Sequence, residues 1–157
     1  MKRTLILFLI LCLLLGCAAC TQPAENTCTF YYLRPLENIQ YGQPDALVAP
    51  VVREIANEEL EYLFQLYLDG PQDDNYVTPI PTGTHLESLY WEENTLVLVL
   101  SEEFSGLEGI QLTLAGACLA ATCHALADAR DIQVRSGEEI YDFNLNNFTF
   151  LDNSVGA

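Results

Sequence analysis

The pattern of hydrophobic and polar positions predicts two strands early in the domain and, further along the chain, a third strand that is apolar throughout. The segments CTFYYLRPL (28–36) and LVAPVVREI (47–55) are rich in β-branched and aromatic residues, which is typical of strands. Pro50 within the second segment suits an edge strand or a bulge, because proline cannot donate to a hydrogen-bond ladder. The segment TLVLVL (95–100) is apolar without interruption, which predicts a central strand covered on both faces.

Two further segments predict helices. In the range 58–69 the apolar residues recur with helical period, with Asn57 as the predicted N-cap and Gly70 with Pro71 as the stop. The predicted apolar face of this helix consists of Leu60, Leu63, Phe64, Tyr67 and Leu68. The range 109–129 is apolar almost all round and rich in small residues. We expect a helix buried in the fold there rather than a membrane span, because its small residues make it weakly hydrophobic.

The remaining strand patterns complete a single predicted domain. HLESLYWEENTLVLVLS reads as a hairpin that turns at Glu92-Glu93-Asn94, DIQVRSG as one more strand, and EIYDFNL as a short last one. The order β-β-α-β-β-α-β(-β) predicts an α+β fold: a single mixed β-sheet with two helices packed on one face.

The N-terminus has the pattern of an export signal. Lys2 and Arg3 precede an apolar run from Leu5 to Leu15, which is too short to span a bilayer as a mature helix. Leu14-Leu15-Gly16-Cys17 then resembles the bacterial lipobox, in which the cysteine becomes the lipidated N-terminus. An ordinary signal peptide cut nearby and an uncleaved anchor are the alternatives.

These patterns divide the chain into a lipoprotein signal peptide (1–16), a tether (17–27), a domain (28–150) and a C-terminal tail (151–157). Lipidation of Cys17 predicts that the mature domain is anchored by lipid on the outer, extracytoplasmic face of the cell membrane. Two or more acyl chains anchor a protein stably.

The mature chain is strongly acidic. After the signal peptide is removed, 22 acidic residues face four arginines and no lysine, a formal charge of −18. Such a surface repels phosphates, so nucleic acid is excluded as a partner. It favours a basic partner protein in a hetero-complex over a pure homo-oligomer, because copies of the chain would repel one another.

Four cysteines besides Cys17 remain available for pairing in an extracytoplasmic domain, where disulfides are permitted. Cys118 and Cys123 are five residues apart on a predicted helix, so a bridge between them would distort it. A Cys20–Cys28 bridge, or one from Cys28 to a helix cysteine, is the alternative to free thiols, and the sequence does not choose between them.

Motifs for catalysis and for cofactors are absent from the sequence. There is no GxSxG or SxxK nucleophile motif, no zinc-ligand spacing and no glycine-rich phosphate loop. Cys123 and His124 are neighbours on one helix and point in different directions. We therefore predict no enzyme, no cofactor, no metal site and no small-molecule substrate.

The surface offers two kinds of candidate contact residue. Strand alternation places Tyr31 opposite Phe30 and Tyr32, and Tyr90 opposite Trp91, so Tyr31 and Tyr90 are candidates for a protein contact. The acidic loop at Asp73 and Asp74 and the acidic turn at Glu92 and Glu93 are further candidates. A cation- or small-ligand-binding lipoprotein that uses these acidic loops is the alternative function.

One long stretch, YLFQLYLDGPQDDNYVTPIPTGTHLESLYWEENTLVLVLSEEF, resembles the GerMN domain of sporulation and germination lipoproteins. The matching elements are a helix that ends in a leucine-rich Gly-Pro, an IPxGT turn at Ile80–Thr84, and a hairpin that exits through Val99-Leu100-Ser101 to Phe104. The long small-residue helix and DIQVRS follow in the family's order, so the resemblance covers roughly residues 30–145.

The resemblance implies a protein-interaction or assembly module in an envelope, sporulation or germination complex, with envelope proteins as partners and without enzymatic activity. The chain departs from the family pattern in its single domain, in the acidic loop at 71–79, and in the Ala-Asp-Ala-Arg end of its second helix.

Overall fold

The structure is a computed structural model that describes residues 26–35 and 47–148. The predicted signal peptide, Cys17, Cys20 and the C-terminal tail lie outside the described residues. In chain order the elements are β1 (Thr27–Leu33), β2 (Val48–Glu54), α1 (Leu60–Leu68), β3 (Leu86–Glu92), β4 (Thr95–Leu100), a 3-10 helix (Glu102–Gly106), α2 (Gly109–Ala127), β5 (Asp131–Ser136), β6 (Glu139–Asn144) and a second 3-10 helix (Leu145–Asn147).

The α+β class and the predicted order of elements are confirmed, but the single sheet is wrong. Strands β1 and β2 form an antiparallel two-stranded sheet, and β3-β4-β5-β6 form a separate four-stranded sheet in which only β4 and β5 run parallel. The edge of β1 that faces away from β2 forms hydrogen bonds with α2 and with a loop residue. The Tyr31 N–H donates to Thr122 Oγ1 of α2 at 2.9 Å, and Leu33 forms an isolated bridge with Val77.

Helix α2 is the buried centre of the molecule. All nine residues from Ala115 to Cys123 are buried, and the helix contacts β1 and β2 of one sheet and β5 and β6 of the other. By length and hydropathy α2 could span a membrane, but half of its most apolar window is buried inside the fold. Its small residues serve close packing between two sheets, as expected for a core helix.

Helix α1 begins later than its sequence predicts. Asn57 is not the N-cap: its Oδ1 accepts from the Glu59 N–H at 2.9 Å in a local turn, and the helix starts at Leu60. The predicted apolar face is confirmed at Leu63, Phe64 and Tyr67, which are buried. These side chains join the same core cluster as Phe30 and Leu98.

The IPTGT segment is a tight turn that leads into β3. The Thr84 N–H donates to the Pro81 carbonyl at 3.2 Å, and Gly83 has φ +94°. A positive φ at the third position of such a turn is the type II geometry, which favours glycine. His85 then donates its N–H to Ser101 Oγ at 3.0 Å, which holds the start of β3 beside the end of β4.

Candidate functional site

The four-stranded sheet has two chemically different faces. Core residues Leu96, Leu98, Ile132 and Val134 point inward. The residues that this sheet contributes to the core cluster with both helices come from this inner face alone. The alternate residues point the other way and define what we call the open face. It consists of Ser88, Tyr90, Glu92, Thr95, Val97, Val99, Asp131, Gln133, Arg135, Ile140, Asp142 and Asn144.

Arg135 of β5 is the centre of a hydrogen-bonded network on the open face. Its Nη2 donates to Glu92 Oε2 and its Nη1 to the Tyr90 hydroxyl, both at 2.8 Å. Its Nε donates to Gln133 Oε1 at 2.7 Å, and the guanidinium carbon lies 5.8 Å from the centre of the Tyr90 ring. A planar guanidinium suits this arrangement because its donors diverge in a fixed fork.

The network extends across the whole sheet. Gln133 donates from Nε2 to Asp142 Oδ1 at 2.9 Å, so the chain of contacts runs from β3 through β5 to β6. Val97 of β4 lies in the same row as Tyr90 and Gln133 and is completely buried, although it belongs to the open face. The polar side chains therefore form an ordered layer over the apolar strand β4.

The open face carries more negative than positive charge. Glu92, Asp131 and Asp142 oppose the single guanidinium of Arg135, and that guanidinium is already paired with Glu92. Asp131 and Asp142 accept from the side-chain amides of Asn144 and Gln133, which do not neutralise them. A positively charged group approaching this face would meet carboxylates held in fixed positions.

The predicted contact residues fall on different surfaces. Tyr90 and Glu92 lie together in the network, and Glu93 occupies the adjoining β3–β4 turn with φ +55°. Tyr31 lies on the two-stranded sheet, on the opposite side of β1 from the buried Phe30 and Tyr32, as its alternation predicts.

The two acidic segments are not brought together. Asp73 Oδ1 accepts from the backbone and side chain of Asn75 and lines a hollow beside Val52 and Tyr62. Glu92 and Glu93 line a separate hollow of about 480 Å³ with Thr95 and Gln133. Across residues 26–35 and 47–148, no group of three histidine, cysteine, aspartate or glutamate side chains is arranged to hold a metal ion.

The described cysteines form no disulfide with one another, so the alternative of a bridge from Cys28 to a helix cysteine is wrong. Cys118 and Cys123 are buried in α2, and Cys28 is half-buried on β1. Burial raises the pKa of all three thiols, that of Cys118 to about 12. A reactive cysteine needs a lowered pKa and access to solvent. Pairing of Cys20 with Cys28 stays a prediction, because Cys20 lies outside the described residues.

His124 and Cys123 do not form a nucleophile–base pair. Cys123 is completely buried, whereas His124 places Nδ1 3.2 Å from Asp128 Oδ1 at the end of α2. This contact joins residues one helical turn apart, close to the helix C-terminus, where a cationic group is favoured.

Sequence reasoning singled out only Tyr90 and Glu92 of the open face, and it missed the members on β5 and β6, among them Gln133, Arg135, Ile140 and Asp142. Their alternation with the apolar residues of DIQVRS and EIYDFN is a signal that could have placed them on one side of their strands. It could not show that Arg135 reaches over β4 to Tyr90 and Glu92, since that depends on strand order.

Comparison with known proteins identifies the family and the fold. The family model described as "Germane: Sporulation and spore germination" matches residues 29–140. The solved tandem GerMN domains of the sporulation protein GerM from Bacillus subtilis superpose with a TM-score of 0.56 at 17% identity, covering 73% of this chain and 39% of that one. A putative lipoprotein from Clostridium perfringens gives a TM-score of 0.41 at 18% identity, covering 73% of this chain and 76% of that one. No curated protein matches significantly.

The structural match to GerM is a likeness of fold, and this chain spans well under half the length of that tandem structure. The family model itself extends from β1 to the start of β6 and includes the IPTGT turn, the hairpin and α2. The chain therefore belongs to the Germane family of sporulation and spore germination proteins and contains a GerMN domain.

Proposed function

We propose that this protein is a lipoprotein held on the outer face of the cell membrane, where its GerMN domain acts as a protein-interaction module in an envelope, sporulation or germination complex. The observation that carries the proposal is the combination of two features. A GerMN-family domain begins at β1, and a lipobox-like LLGC stands a few residues before it.

The short distance between anchor and domain supports this function. Nine residues separate Cys17 from Thr27, and the ten steps between their Cα atoms reach at most about 36 Å in a fully extended chain. Lipid on Cys17 would thus confine the domain to a thin layer above the membrane. Confinement raises the effective concentration for a partner in the same layer without any additional contact.

The charge of the mature chain supports a hetero-complex. Copies of a domain with many acids and few bases repel each other, whereas a basic envelope protein would be attracted. The open face offers Tyr90, Glu92 and Asp142 as ordered contact groups for such a partner.

Crosslinking and affinity purification of the full chain from native membranes test the proposal. Cys17→Ser removes the lipid-attachment site, and Cys20→Ser is the matched control that changes a neighbouring cysteine. We expect wild type and Cys20→Ser to recover the same envelope protein, and Cys17→Ser to lose it together with the acyl mass of the N-terminus. Equal recovery with Cys17→Ser would refute the role of the anchor. Recovery of no partner by any form would refute the interaction module.

A further inference from the structure

Strand β2 of the two-stranded sheet and strand β6 of the four-stranded sheet are edge strands that differ in their outward-facing backbone N–H groups. The Tyr31 N–H points away from β2 to Thr122, so Tyr31 and its partner Pro50 form a pair without mutual hydrogen bonds. The ring nitrogen of Pro50 consequently faces the outer edge of β2, where it offers no hydrogen. Proline at such a position is a common protection of an edge strand against pairing.

Strand β6 lacks that protection. The Leu145 N–H donates to the Arg130 carbonyl at 2.9 Å, which continues the β5–β6 ladder and fixes its alternation. By that alternation the N–H and C=O groups of Ile140 and Asp142 point away from β5. Among the described residues β6 pairs with β5 alone, so no described strand occupies this edge.

The side chains beside the β6 edge define which strand would fit. Ile140 is 59% exposed and Asp142 is exposed, and both lie on the open face next to Arg135 and Gln133. A strand added to β6 would place alternate side chains beside them. The carboxylates of Asp142 and Asp131 favour lysine or arginine there, and an acidic copy of this chain would be repelled.

We propose that the free edge of β6 and the adjoining open face form a docking site for an extended, basic segment of a partner protein, which adds to the sheet as a further strand. Backbone hydrogen bonds at Ile140 and Asp142 supply binding, and alternate basic side chains beside Asp142 and toward Asp131 of the neighbouring β5 supply selectivity. This inference rests on the proposed interaction function and names its surface and the chemistry of the partner.

Binding of synthetic peptides to the full chain in detergent micelles tests the site. The probe is an alternating lysine–threonine octapeptide, compared with a glutamate–threonine octapeptide and with the lysine probe N-methylated at alternate residues. We expect the lysine probe alone to bind, and amide exchange at Ile140 and Asp142 to slow while Val52 on the β2 edge stays unchanged. Equal binding of the methylated probe would overturn strand addition.

Two double variants of equal charge distinguish binding at the proposed site from nonspecific attraction to the acidic surface. Asp131→Asn with Asp142→Asn neutralises the two carboxylates of the open face nearest the β6 edge, and Glu58→Gln with Glu61→Gln makes the same change in charge at exposed positions near α1. We expect the first pair to raise the Kd by about tenfold or more and the second by less than about twofold. Equal weakening by both pairs would overturn the site.

A third variant tests the edge itself. Ile140→Pro removes an outward N–H and keeps every charge, as Pro50 does on β2, and Ile140→Val is its matched control. Loss of binding is expected for the proline variant alone, with its melting temperature measured beside it. If the lysine probe fails to bind wild type while crosslinking still recovers an envelope partner, this site is wrong and the interaction function stands.

Discussion

The ring of Phe143 on β6 lies directly against the backbone of Gly116 in α2. A Cβ atom built at Gly116 would lie 2.3 Å from Phe143 Cε1 and 2.4 Å from Cδ1, distances that real side chains essentially never show. Glycine costs roughly 1 kcal/mol relative to alanine within a helix, so its presence here needs a packing reason. The reason is the close approach of α2 to the four-stranded sheet.

Gly116→Ala is therefore expected to destabilise the fold by about 1–3 kcal/mol, because the ring must move to admit one methyl group. Urea unfolding measures the change. Gly106→Ala is the matched control, since a Cβ there meets nothing within 4 Å, and it should change stability by less than about 0.5 kcal/mol.

Phe143→Leu in the Gly116→Ala background should recover part of that loss, and a double-mutant cycle gives the coupling between the two sites. Additive effects of the two substitutions would show that the contact with Phe143 does not cause the destabilisation by Gly116→Ala.

Thr122 provides a second test of how α2 joins the sheets. Its hydroxyl accepts the Tyr31 N–H at 2.9 Å, and it is completely buried. Thr122→Val keeps the shape of the side chain and removes the acceptor, which should cost about 1–2 kcal/mol. Thr122→Ser, which keeps the hydroxyl, should lose less.

The control for this prediction is Thr113→Val on the same helix, where the hydroxyl donates to the Gly109 carbonyl at an exposed position. A loss for Thr113→Val as large as that for Thr122→Val would assign the effect to helix propensity instead of the contact with β1.

These contacts explain which parts of the fold could be predicted from sequence. The continuous apolar run of β4 and the small residues of α2 indicate that these segments are buried. Burial of this kind can be predicted from the local sequence of each segment. The division into two sheets depends on what meets the outer edge of β1. Thr122 lies 91 positions away from Tyr31 in the chain, and the residue pattern of neither segment indicates that the two residues are in contact.

The candidate site shows the same limit. Tyr90 and Glu92 could be recognised as surface residues of a strand, since they alternate with Leu89 and Trp91. Their partner Arg135 is more than 40 positions away, and the pairing follows from the strand order β3-β4-β5-β6. The sequence thus indicates which groups are exposed, whereas only the topology shows which of them are held together.

Arg53 of β2 supports the end of α1, and this role is testable. Its Nη1 donates to the carbonyls of Leu66 at 3.0 Å and Gly70 at 3.2 Å, at and just beyond the C-terminal turn of α1, where carbonyls need partners from outside the helix. Arg53→Met keeps an apolar stem and loses both bonds and the charge near the helix C-terminus. We expect a loss of about 1–3 kcal/mol in the free energy of unfolding.

Arg130→Met is the control for Arg53→Met, because Arg130 is exposed and the substitution changes the net charge equally. The proposed support of α1 is contradicted if the two variants have the same urea midpoint.

Buried thiol and phenol groups predict that the fold is sensitive to alkaline pH. Burial raises the pKa of Cys118 from 9.0 to about 12 and that of Tyr32 from 10.0 to about 12. In the unfolded chain these groups ionise near their ordinary values, so above pH 9 the unfolded state binds fewer protons than the folded state. Their contribution to stability is complete below pH 9 and is lost as the pH rises toward 12.

Urea unfolding under reducing conditions at a series of pH values from about 7 to about 11 measures this loss. Each such group contributes at most about 1.4 kcal/mol per pH unit. Cys118→Ala should reduce the slope of stability against pH by up to this amount. Leu119→Ala, a neighbouring core truncation without a titratable group, should lower stability at every pH and leave the slope unchanged. An unchanged slope for Cys118→Ala would mean that the thiol ionises equally readily in the folded protein, which its burial against the core of α2 argues against.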